Sequence, residues 1–163
     1  MNRNSSAYRA AMLGLLTALA LIFGYLERLV PVSIPGIKLG LGNTVLLYSL
    51  YLIDEKHTWL LMLVKVLLTG LLFGTGVSML YSLAGGALSL AAMCLAKKSN
   101  GLDISFVSVL GALMHNIGQL TVAALVVTTR AALYYLPILM LTGIGCGLLT
   151  GVVGRLVVKR FSR

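Results

Sequence analysis

Apolar positions run along this chain in long stretches, and the polar residues gather in short clusters between them. A bilayer's hydrocarbon core takes about 20 apolar residues to cross as a helix. The first stretch, residues 7–26, has that length and ends at Glu27 and Arg28. A short basic head followed by an apolar run also describes a signal peptide. The run is long for that, and the rest of the chain is just as hydrophobic, so a first transmembrane helix is the better reading.

Residues 30–43 read VPVSIPGIKLGLGN, and Pro31, Pro35, Gly36, Gly40 and Gly42 break any regular helix there. The segment is too apolar for a plain surface connection and suggests a loop that folds back onto the membrane or caps a bundle. A short second helix, residues 40–53, closes at Asp54-Glu55-Lys56-His57. The apolar stretch from 58 to 96 is too long for one crossing and breaks most naturally at Gly74-Thr75-Gly76, giving helices at 58–73 and 77–96. Lys97 to Asp103 forms a polar turn. A fifth helix covers 104–128, Thr129-Arg130 ends it, and a sixth covers 131–158 before a basic tail. The expectation is an all-α, single-domain, polytopic membrane protein of six transmembrane helices, with no soluble domain and no internal repeat.

Composition agrees. Of 163 residues, 59% are hydrophobic and 10% charged, where a soluble domain carries about 25% charged residues. The formal net charge of +9 would point to nucleic acid in a soluble protein. Here the basic residues sit at the ends and in connections, the pattern of cytoplasmic anchoring and contact with anionic lipid. Arg3, Arg9, Lys56, Lys97, Lys98, Arg155, Lys159, Arg160 and Arg163 fall on one side, and Arg28, Lys38 and Arg130 on the other. Nine against three places both ends in the cytoplasm. Cys94 and Cys146 lie inside apolar runs and make no CxxC motif, which reads as packing.

Polar groups at bilayer depth are costly, so each needs a reason. Lys65 lies eight residues past His57, roughly 12 Å along a helix. It either snorkels or pairs internally, or it offers a positive charge to an anionic or carbonyl-bearing ligand. On helix five, Ser108, His115 and Gln119 share one face, which Ser105 and Asn116 widen. The stripe either joins two helices or lines a pocket, and the His, Asn and Gln together favour a pocket. A zinc site, a paired-carboxylate mechanism and a nucleophile–base–acid set all lack members. Asp54 and Asp103 are too far apart in sequence to be an aspartate cluster that holds magnesium diphosphate. No GxxxxGK[ST] is present to bind ATP. The expectation is a protein that is not itself an enzyme, uses no cofactor and binds no nucleic acid.

Small residues recur at a spacing of four: Ala10, Gly14 and Ala18 in helix one, Gly70 and Gly74 in helix three, and Gly143, Gly147 and Gly151 in helix six. Such faces let helices approach closely where lipid supplies no hydrophobic push. Packing within the bundle suits helices three and six; helix one suits a contact with another protein equally well.

At PGIKLGLGN (residues 35–43), VKVLLTGLLFG (64–74) and HNIGQ (115–119) the sequence resembles the Gx transporter family, also called heptaprenyl diphosphate synthase component I, over nearly the whole chain. That family is similar to the substrate-binding S components of energy-coupling factor (ECF) transporters. These are six-helix proteins of the bacterial cytoplasmic membrane that capture vitamins or related molecules outside, while a membrane scaffold protein and two cytoplasmic ATPases drive release inside. The resemblance implies that residues 30–43 form an outer gate and that Ala10, Gly14 and Ala18 meet the scaffold. It also implies that Asn43, Lys65, His115, Asn116 and Gln119 hold a vitamin-like ligand or an isoprenoid or quinone precursor. The usual contact motif carries alanines, and Gly14 stands at its centre here. Two alternatives stay open: a noncatalytic membrane subunit of a heptaprenyl diphosphate synthase, docking through residues 54–57 and 97–103, and a membrane component of a redox or flavin-processing system.

Overall fold

The computed structural model describes residues 6–29, 41–99, 101–127 and 136–161. Among them the chain forms six helices: α1 (Ser6–Leu29), α2 (Leu41–Leu52), α3 (Glu55–Phe73), α4 (Gly76–Lys98), α5 (Ile104–Val127) and α6 (Leu136–Phe161). Five are long and apolar enough to cross a membrane, and α2 is the exception. Its 12 residues span about 18 Å at 1.5 Å each, short of a hydrocarbon core of about 30 Å.

The expected boundaries shift at capped ends. Asp54 caps α3, accepting a hydrogen bond from the His57 N–H at 2.8 Å, so α3 starts at Glu55 and not at residue 58. Thr75 caps α4 through the Ser78 N–H, as Ser and Thr commonly do. Lys97 and Lys98 fall in the last turn of α4, where cations suit the helix dipole. α1 runs three residues past the expected end at 26, and Glu27 is buried, not a terminal surface residue. Residues 128–135, where the sixth helix is expected to begin at 131, the proposed gate at 30–40 and Lys38 and Arg130 lie outside the described residues. Leu41, Gly42 and Asn43, read with that gate, are the first residues of α2.

α2 is the centre of the bundle. Residues Gly42 to Leu50 are all buried, and the helix touches each of the other five. Leu46, Leu47 and Leu50 pack with Leu61, Leu90 and Val107 in the core. The outside is apolar: Leu15, Leu71, Leu125, Leu141 and Leu149 are more than half exposed, the distribution expected of a lipid-facing surface.

Charged side chains meet at one end. Lys98 pairs with Glu55 at 3.3 Å and Arg155 with Asp103 at 3.5 Å. Lys97 donates to the Leu50 carbonyl at 2.6 Å and stands over the Tyr51 ring. The field of Arg9 reaches Asp54. The start of α1 and the last turns of α6 therefore share this end with the α2–α3 and α4–α5 turns. Burial raises the Asp54 pKa, but hydrogen bonds from His57 and the charges of His57 and Arg9 outweigh it and hold the carboxyl low. Hydrogen bonds from Ser105, aided by Arg155, hold Asp103 low against burial.

Candidate functional site

The stripes of small residues come first, because they decide how closely the helices approach. Gly147 and Gly151 of α6 lie against the backbone of α5: a Cβ added at Gly147 would sit 2.7 Å from Val109 Cα, and one at Gly151 2.5 Å from Ser105 Cα. Gly143 faces the Asn116 amide. The helix-six stripe is thus a packing seam, as expected, and Gly70 of α3 likewise receives Met79 of α4. Between α4 and α5, Gly118 meets the Ala84 carbonyl and Gly85 meets the His115 ring. Gly14 differs. A Cβ there would meet nothing within 4 Å, and Ala10, Gly14 and Ala18 are all exposed.

The polar stripe of α5 divides among several neighbours. Ser108 and Thr150 of α6 share a hydrogen bond at 2.8 Å. Asn116 donates to the Leu139 carbonyl at 2.6 Å. Both are contacts that join α5 to α6. His115 is buried against Gly85 of α4. Gln119 is fully buried, and neither its amide nitrogen nor its oxygen has a hydrogen-bond partner among the described residues. Leaving one such group unpaired costs on the order of 1–3 kcal/mol, so Gln119 marks a position where packing alone does not explain the residue.

Lys65 and Asn43 come together. The ammonium of Lys65, midway along α3, donates to Asn43 Oδ1 at 3.0 Å. Gly42 makes room, since a Cβ there would lie 2.9 Å from Lys65 Nζ. Glu27 of α1 approaches the same end of α2 and accepts from the Leu41 N–H, so a carboxylate meets the helix N-terminus, where the dipole favours it. Glu27 was legible in sequence only as the end of a helix; nothing local signals that it turns inward.

Asn43 also lines a cleft between α2, α4, α5 and α6, with Thr44, Leu47, Ser89, Met93, Ser108, Cys146 and Thr150. The cleft and its open mouth hold about 300 Å³ of space between atoms, of which about 20 Å³ admits the centre of a water-sized atom. Lys65, His115, Asn116 and Gln119 are not in its wall. Ser89, Thr44, Thr150 and Cys146 are lining residues that the sequence reading missed. Their one signal was weak: Ser82, Gly85 and Ser89 repeat at spacings of three and four and so share a face of α4. Among the described residues no group of three or more His, Cys, Asp or Glu could hold a metal ion.

No curated protein and no solved structure matches the chain. A family model described as heptaprenyl diphosphate synthase component I matches residues 16–157. That span takes in all of α2 to α5 and most of α1 and α6, with Asn43, Lys65, His115, Asn116 and Gln119. The chain belongs to the heptaprenyl diphosphate synthase component I family.

Proposed function

We propose that this chain is a noncatalytic membrane subunit of the ECF S-component type that captures a small ligand at bilayer depth and works with partner proteins. The observation that carries this reading is Gln119, a fully buried amide with no hydrogen-bond partner among the described residues. A chain with no use for that amide gains stability by replacing it with leucine. The Lys65–Asn43 pair, with Asn43 buried and Lys65 half-buried, supports the same reading, since an ionisable group in an apolar span is costly unless it serves a site. Under it, Asn43, Lys65, His115, Asn116 and Gln119 hold a vitamin-like molecule or an isoprenoid or quinone precursor. The exposed Ala10–Gly14–Ala18 face docks on a membrane scaffold that works with two cytoplasmic ATPases. The excess of Lys and Arg on one side supports a bacterial cytoplasmic membrane location with both termini on the cytoplasmic side.

A second reading draws on the family's name and on the charged end of the bundle. There, Glu55, Lys98, Asp103 and Arg155 form two exposed ion pairs, and under this reading a soluble prenyl synthase docks on them. In that case the chain is a noncatalytic membrane subunit of a heptaprenyl diphosphate synthase. A mild-detergent pull-down from native membranes, read by mass spectrometry, separates the two. A scaffold with two ATPases supports ligand capture. A prenyl synthase without ATPases overturns it. Alanine at Lys65 and His115 then abolishes capture under the first reading and leaves enzyme recruitment intact under the second.

A further inference from the structure

The cleft between α2, α4, α5 and α6 has a wall chemistry of its own. Ser108 lies four residues from the start of α5, and Asn43 nine from the end of α2. At 1.5 Å per residue the cleft therefore runs from roughly 6 to 14 Å along the bundle from its charged end. Its wall holds no charged side chain. Two of its polar groups make no hydrogen bond among the described residues: Asn43 Nδ2 and Ser89 Oγ, on side chains 8% and 0% exposed.

The orientation of Asn43 follows from Lys65. An ammonium only donates, so it selects the amide oxygen. With Oδ1 held at 3.0 Å, the NH₂ group is left for the cleft. Across from it, Gly111 leaves room for Ser89, whose Oγ would lie 3.3 Å from a Cβ at that position. The hydroxyls of Ser108 and Thr150 are engaged with each other, and Thr150 donates on to the Gly147 carbonyl. The cleft is therefore lined by two side chains that carry an unengaged donor, Asn43 and Ser89, beside the apolar Leu47 and Met93.

We infer that this cleft binds the neutral carbonyl group of a small, otherwise apolar ligand, with Asn43 and Ser89 donating to its oxygen and Lys65 acting as a positioning residue behind Asn43. Size decides between carbonyl and anion. The enclosed space of the cleft has room for about one water-sized atom. A carbonyl puts one oxygen there and leaves its hydrocarbon body at the open mouth. A carboxylate or phosphate brings two or more charged oxygens into a wall without a cation, at a steep desolvation cost. The inference goes beyond the ligand-capture reading, since the cleft shares Asn43 with that site while Lys65, His115, Asn116 and Gln119 lie outside its wall. It rests on that reading only for its biological meaning. Its experiment reads binding to this chain alone, so a pull-down that finds no ATPases leaves the result standing, and the converse holds too.

Cys146 lines the cleft and reports on it. The test uses the full chain in lipid nanodiscs with Cys94→Ala, and follows modification of Cys146 by methyl methanethiosulfonate. The probe ligands are cyclohexanone, cyclohexane as its carbonyl-free shape, and acetate. Cyclohexanone is expected to slow modification saturably, by about tenfold, with no effect from the other two. Asn43→Asp keeps the bond to Lys65 but turns the cleft-facing donor into an acceptor, and Ser89→Ala removes the hydroxyl. Each is expected to weaken the apparent affinity for cyclohexanone about 3- to 10-fold, the worth of one hydrogen bond. Equal protection by cyclohexane, protection by acetate instead, or undiminished affinity in both variants overturns the inference. A Cys146 that does not react at all also overturns it, because a cleft closed to this reagent is closed to a ketone of similar size.

Discussion

The two halves of the bundle hold together by different means. α4, α5 and α6 meet backbone to backbone across glycines, with Gly118 on Ala84 and Gly147 and Gly151 on Val109 and Ser105. Hydrogen bonds from Asn116 and between Ser108 and Thr150 tie the seam. α1, α2 and α3 meet through side chains: Glu27 on the α2 N-terminus, Lys65 on Asn43, and Thr58 donating to Ser49 at 2.9 Å. One half is a close-packed seam in which added atoms have nowhere to go. The other carries ionisable groups at bilayer depth and a small-residue face, on α1, that none of the described residues covers. The glycine seam and the Lys65–Asn43 pair thus lie on different helices, and the cleft lies where α2 meets the seam.

The sharpest way to break this comparison is at the glycines. In Gly118→Ala the new Cβ falls 2.7 Å from the Ala84 carbonyl oxygen, and in Gly151→Ala 2.5 Å from Ser105 Cα. Backbone cannot swing aside, so each is expected to cost about 1–3 kcal/mol, read as a lower thermal midpoint of the purified protein. Gly14→Ala, with open space around it, is expected to hold or raise that midpoint, by up to about 1 kcal/mol of helix propensity. A seam variant as stable as Gly14→Ala would erase the distinction between the halves.

Function sharpens it next. Gln119→Leu is expected to raise stability by about 1–2 kcal/mol by removing an unpartnered buried amide, while ligand capture from native extracts falls. A stabilised variant with full capture would make Gln119 a packing residue and remove the main support for the site. Gly14→Leu is expected to leave the fold intact and deplete the membrane partner in the pull-down. A partner recovered at undiminished yield would place the docking surface elsewhere.

The smallest effects belong to the charged end. Asp54→Ala removes the α3 cap and is expected to cost about 1 kcal/mol, seen as faster amide exchange in the first turn of α3. Because the folded-state pKa of Asp54 lies below its ordinary value, its contribution is present above the usual aspartate range. It is lost as the pH falls through the lowered value. Acid should therefore loosen the first turn of α3 in the natural chain and change little there in Asp54→Ala.

Much of the fold was legible because long apolar runs and their polar interruptions are local facts. The break read at Gly74-Thr75-Gly76 fell between α3 and α4 with Gly76 opening α4, the turn read at 97–103 lost Lys97 and Lys98 to the last turn of α4, and the glycine spacing of α6 marked a packing face. The polar stripe of α5 was visible as a stripe. Its division was not: Asn116 bonds a carbonyl of α6, His115 meets a glycine of α4, and Gln119 has no partner among the described residues. Which neighbour each side chain meets depends on how the helices rotate against one another, and periodicity within one helix carries no information on that.

By itself the sequence determined the helical segments, their apolar exterior and the family, since each follows from hydropathy over tens of residues or from motifs in order along the chain. Only the tertiary structure decided that short α2 sits at the centre, that Glu27 turns inward, that Lys65 holds Asn43, and that Ser89 shares a cleft with it. These pairs are 14, 22 and 46 residues apart, counting Glu27–Leu41, Asn43–Lys65 and Asn43–Ser89. Contacts at that separation exist only once helices pack, and packing in a bilayer is settled by close fit and by hydrogen bonds between helices, which no single segment contains.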